Sequence, residues 1–115
     1  MTKYEYKDLL IQTSKDGGFP ATNIDGSCAY RCEDGKKCAV GLILPDSLYE
    51  RQLEYKTIDD LFTQEYLEDK SWIPDDLTVS DLYEIQRVHD SMSSDYNGWN
   101  HDRFVKELHE LECFN

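Results

Sequence analysis

Apolar residues recur with a helical period at both ends of this chain, and the period breaks down between them. At the start, Thr2-Lys3-Tyr4-Glu5 has the form of a capping box: a Thr hydroxyl and a Glu carboxylate placed to satisfy each other's backbone N–H. It opens a predicted helix of about three turns carrying Leu9 and Leu10, which Gly17-Gly18 stops. Phe19 to Ser27 is rich in Pro, Asn, Asp and Gly and reads as a loop.

The middle of the chain switches character. CAYR (28–31) and KCAV (37–40) flank Glu33-Asp34-Gly35, and Asp-Gly between β-prone runs predicts a hairpin. The unbroken apolarity of Leu42-Ile43-Leu44 extends the second strand, and Pro45 ends it.

From Asp46 the helical period returns. Asp46 caps a short helix through Leu48, Tyr49 and Leu53, and Thr57 caps another with Leu61, Phe62 and Tyr66 on its apolar side. After a break at Ser71-Trp72-Ile73-Pro74, Thr78-Val79-Ser80-Asp81 opens the clearest helix, with Leu82, Ile85, Val88 or His89, and Met92 at helical spacing. Ser93 to Gly98 reads as a loop. Asn100 caps a last helix with Phe104, Val105, Leu108 and Leu111 on one face. The pattern predicts one α+β domain over residues 1–115: a two- or three-stranded antiparallel ribbon packed against four or five helices.

Charge divides the same domain in two. Residues 1–45 hold six acids and six bases, whereas residues 46–115 hold 18 acids against six bases, the whole of the net −12. Such a field opposes direct binding to nucleic acid, whose affinity comes largely from Lys and Arg at phosphates, and equally opposes anionic membranes. It favours a basic protein partner; the plain alternative is a solubilising surface. The opening MTKYEYKDLL lacks the charged and apolar regions of a signal peptide, and no apolar run reaches about 18 residues. A cytoplasmic location with reduced cysteines is the expectation.

Three of the four cysteines, Cys28, Cys32 and Cys38, lie around the predicted turn. A hairpin centred on residues 33–35 sets Cys28 opposite Cys38, a spacing that suits packed thiols, a disulfide or two metal ligands. Zinc on Cys28, Cys32 and Cys38 needs a fourth ligand from Cys113, His89, His101 or His109, all distant in sequence. A nucleophilic Cys32 has Arg31, Lys36 and Lys37 beside it but no local histidine. Inert packing is the commonest fate of such cysteines, and no cofactor is otherwise called for.

The run CAYR-x₃-G-x-KCAVG, then L-P-D and a Tyr, and later I-Q-x-V-H-D followed by a Trp, resembles a family of small uncharacterised phage- and prophage-associated proteins. The matching residues run from Cys28–Arg31, Gly35 and Lys37–Gly41 through Leu44–Asp46 and Tyr49 to Gln86, His89, Asp90 and Trp99. Cys32 falls outside the pattern. The resemblance implies no particular reaction, but it implies action on host machinery or on a defence system.

Two sites follow as expectations. Asp59, Asp60, Glu65, Glu68, Asp69, Asp75 and Asp76 form an acidic, nucleic-acid-mimicking face that binds and inhibits a basic host or defence protein. The alternative is a pocket of Tyr30, Arg31, Tyr49, His89, Asp90 and Trp99 for a nucleotide-like ligand, since Arg offers a bidentate fork and the rings offer stacking. A zinc-stabilised module is a further alternative. No P-loop, HExxH or Ser-His-Asp spacing is present, which points to binding rather than catalysis; self-association is left open.

Overall fold

Four helices account for the regular structure in a computed structural model that describes residues 1–22, 29–54, 56–93 and 98–115, with the backbone alone at Ser93. They are α1 (Lys3–Lys15), α2 (Ile58–Thr63), α3 (Val79–Ser93) and α4 (His101–Glu110), with 3₁₀ turns at Arg51–Leu53 and Glu112–Phe114. The expected caps form at Thr2, Thr57, Thr78 and Asn100, but Asp46 opens no helix among the described residues: the turn at Arg51–Leu53 follows Glu50, and Asp46 meets Arg31 instead. Thr2 and Glu5 bond reciprocally at 3.0 and 3.1 Å, Thr78 and Asp81 do the same at 2.9 and 3.1 Å, and Asn100 accepts the Arg103 N–H at 3.0 Å. Gly17, at φ +79°, follows α1 in the left-handed conformation that glycine adopts without penalty.

Among the described residues there is no β-strand, so the expected α+β ribbon is corrected to an all-helical fold. The Asp34-Gly35 turn does form, but it carries a single isolated antiparallel bridge between Arg31 and Lys37. The reason lies in where the backbone donors go. The N–H groups of Tyr30 and Arg31 are taken by the Glu54 carboxylate at 2.8 and 3.1 Å, and that of Val40 by Gln86 Oε1 at 2.9 Å. Side chains distant in sequence thus satisfy the groups a ladder would use. Beyond Cys38 the chain coils: Leu42 N–H bonds Cys38 O at 3.0 Å and Leu44 N–H bonds Val40 O at 3.1 Å. The apolar run at Leu42–Leu44 is a helix-like turn with Leu44 buried and Leu42 and Ile43 partly covered. Gly41 makes it fit, because a Cβ there would overlap the Tyr30 carbonyl.

The stripe on α3 packs inward through Leu82, Ile85, His89 and Met92, against α2 on one side and α4 on the other, and α4 packs in turn on α1. Tyr6 anchors α1 to the coiled segment through a 2.6 Å bond from its hydroxyl to Ala39 O. The radius of gyration, 13.3 Å, matches the roughly 13 Å expected of one packed domain of this length. No helix among the described residues is long and apolar enough to cross a membrane.

Candidate functional site

Because α3 buries one stripe, residues 83, 86, 87 and 90 fall together on a neighbouring face, at i, i+3, i+4 and i+7. This face and the segments at Ala29–Tyr30, Cys38 and Lys56–Ile58 line a half-open cavity of about 480 Å³. That volume lies within the roughly 300–1,000 Å³ typical of small-molecule sites. Its buried wall is Ala29, Tyr30, Cys38, Ile58 and Gln86; Lys56, Thr57, Tyr83, Arg87, Asp90 and Ser91 are more exposed.

The polar groups of the wall are fixed by the core behind it. Gln86 accepts from Val40 N–H and donates to Asp90 Oδ1 at 2.8 Å. His89, fully buried, accepts the Ala21 N–H on Nε2 at 3.1 Å. That nitrogen therefore carries no proton, and Nδ1 donates to Asp90 Oδ1 at 2.9 Å from a neutral ring. Tyr30 donates its hydroxyl to the Lys56 carbonyl. Burial, reinforced by nearby acidic groups, raises the Tyr30 phenol well above its usual range. Burial also pushes the Cys38 thiol up, so it remains a neutral SH whose sulfur accepts the Gly41 N–H at 3.4 Å. At neutral pH this wall offers shape and hydrogen bonds, with no thiolate from Cys38.

The six residues of the expected nucleotide-like pocket fall into three places. Tyr30 and Asp90 line the cavity. Arg31 and Tyr49 pair elsewhere: the guanidinium lies 4.4 Å from the Tyr49 ring centre, bonds Leu44 O at 2.9 Å and meets Asp46 Oδ1 at 2.7 Å. Tyr49 donates to Glu54 Oε2 at 2.6 Å, and its phenol is pushed up to about 12, chiefly by burial and then by that carboxylate. His89 and Trp99, 5.5 Å apart, belong to an aromatic cluster with Phe19 and Phe104. Trp99 Nε1–H donates to Ser14 Oγ at 2.8 Å, and Ser14 lies 2.7 Å from His101 Nδ1, joining α1 to the start of α4.

The seven acids stand at the surface, Asp60 partly covered. Asp59 and Asp60 occupy the first turn of α2, and the others follow α2 or precede α3. Hydrogen bonds from the Ser71 hydroxyl and backbone hold the Asp69 carboxyl below its ordinary range. Two bases intrude on this segment: Lys56 lies 4.4 Å over the Tyr66 ring and Lys70 5.5 Å over Phe62.

Of the three cysteines expected at a metal, Cys28 lies outside the described residues. Cys32 directs its sulfur at Thr22 O, 3.4 Å away, and Cys38 is turned to Gly41. Among the described residues no three His, Cys, Asp or Glu side chains are grouped to hold a metal ion.

Sequence reasoning missed Lys56, Tyr83, Arg87 and Glu54 as members of sites. The i, i+3, i+4, i+7 spacing of residues 83–90 was available as a signal beside the apolar stripe. Glu54 had none, because the two backbone groups it holds lie more than twenty residues earlier. No family model matches this chain, and no curated protein or solved structure matches it either.

Proposed function

We propose that this protein is a small-molecule-binding module whose ligand occupies the cavity beside α3. The observation that carries this reading is the cavity itself: about 480 Å³, an apolar buried wall, and a few polar groups locked in place by Gln86, Asp90 and His89. Preorganised groups of this kind bind without first having to be ordered. An amide-resolved NMR titration against a library of small fragments tests it. Shifts should concentrate on Tyr30, Cys38, Ile58 and Gln86, and Ala29→Leu, which extends a side chain into the space, should suppress them. Fragments that shift only surface amides elsewhere would defeat the reading.

A second reading is the acidic inhibitor of a basic host or defence protein. It is supported by the exposure of Asp59, Glu65, Glu68, Asp69, Asp75 and Asp76 and by the resemblance to phage-associated proteins. A complex recovered from host lysate should dissociate at moderate salt and fail to form when Glu65, Glu68, Asp69 and Asp76 are changed to their amides. A complex indifferent to both salt and these changes would rule out the acidic face.

A further inference from the structure

Resting on the cavity reading, we infer that the ligand is a small organic anion: an apolar or aromatic body against the buried wall, with its acid group held by Lys56 and Arg87. The body of the site is set by Ala29, Cys38, Ile58 and the Tyr30 ring, which present carbon and a neutral thiol. Gln86, also in that wall, is already bonded to Val40 and Asp90, so polar recognition falls to the rim.

Two of the chain's twelve bases line this cavity, although the chain as a whole carries −12. Neither is committed to a strong partner. Lys56 has no carboxylate within 4 Å among the described residues and rests on the Tyr66 ring. Arg87 reaches Glu84 only at 3.6 Å, with its side chain 70% exposed, a pairing of little strength. Among the described residues Asp90 is the one acid in the lining, and it is already engaged: Gln86 Nε2 and His89 Nδ1 both donate to its Oδ1. An incoming anion would therefore draw in two lightly held cations, Lys56 from the face of Tyr66 and Arg87 from Glu84, beside a carboxylate tied back to the core. A carboxylate or phosphate would form charge-assisted hydrogen bonds with both bases.

The test uses the full chain and four probes sharing one ring: phenylacetate, phenyl phosphate, phenylacetamide and phenethylamine. Dissociation constants come from cavity-lining amide shifts. One or both anions should bind about tenfold or more tightly than the neutral amide, with the amine weakest. The stronger of the two anions identifies the carboxylate or the phosphate source. In a Lys56→Met/Arg87→Met protein with unchanged circular dichroism, the anions should fall to the level of the amide. If the amide or the amine binds as well as the anions, or the double variant keeps the preference, the anion assignment is wrong and the cavity reading stands. If no probe shifts the cavity-lining amides of either protein, the cavity reading itself is wrong.

Discussion

Glu54 accepts the backbone N–H of Tyr30 at 2.8 Å through one carboxylate oxygen, while the other accepts that of Arg31 at 3.1 Å and the hydroxyl of Tyr49 at 2.6 Å. One side chain thereby does for residues 30 and 31 what a partner strand would have done, and it holds the first wall of the cavity in place. Removing it strands two backbone donors in a part-buried site. Glu54→Ala should lower stability by about 3 kcal/mol in urea denaturation, with Glu54→Gln losing less because one acceptor remains. A loss below about 0.5 kcal/mol in the Ala variant would show that water replaces the carboxylate.

Gly41 is the second fixed point of the same segment. A Cβ at that position meets the Tyr30 backbone, which cannot rotate away as a side chain would. Gly41→Ala should therefore cost about 3 kcal/mol or prevent folding. Gly35, at φ +91° with nothing within 4 Å, offers the control: Gly35→Ala should cost about 1 kcal/mol, from backbone conformation alone. Thermal melts of the two variants side by side separate these causes, and equal losses would refute the steric one.

High pH should destabilise the protein through its tyrosines. The Tyr49 phenol is raised to about 12 in the folded chain, whereas an unfolded tyrosine titrates near 10. The unfolded state thus loses its proton first. The stability is complete below about pH 10 and declines as pH rises from there through about 12. Tyr6 and Tyr30, raised further by burial, steepen the decline. Tyr49→Phe should flatten part of a urea-midpoint profile across this window. A profile identical to that of the parent would mean that Tyr49 titrates normally.

The cysteines should differ sharply in reactivity. Burial raises all three described thiols, but Cys38 is fully buried and raised most, while Cys32 and Cys113 are partly exposed. At pH 8, site-resolved mass spectrometry after brief alkylation should find Cys32 and Cys113 modified and Cys38 protected until denaturant is added. Early labelling of Cys38 would mean that the cavity wall opens readily.

Much of the helical frame was legible in the sequence, because its signals are local. Thr2, Thr78 and Asn100 cap helices whose partners lie three residues on, and the Leu82–Met92 stripe declares its buried face by spacing alone. The ribbon was misread for the opposite reason. Asp34-Gly35 did mark a turn, but strand pairing depends on where the N–H groups of Tyr30, Arg31 and Val40 find acceptors. Those acceptors, Glu54 and Gln86, are not readable from local pattern. The candidate site was less legible: of the six residues expected to share a pocket, Tyr30 and Asp90 line the cavity whereas Arg31 turns to Tyr49, and no local pattern sets Lys56 and Arg87 apart from the other bases.

The bond between Val40 N–H and Gln86 Oε1 spans 46 residues of chain, and it bears on the order of folding. The coiled segment cannot settle its backbone until α3 has arrived to receive it, and closing so long a loop is slow compared with forming a capped helix. In kinetic terms the capped helices should come first, and the segment around Val40 should settle only once α3 is in place. Substitutions at Gln86 should then quicken unfolding while leaving the refolding rate almost untouched. The cavity wall would then be a late piece of the molecule to form and an early one to let go.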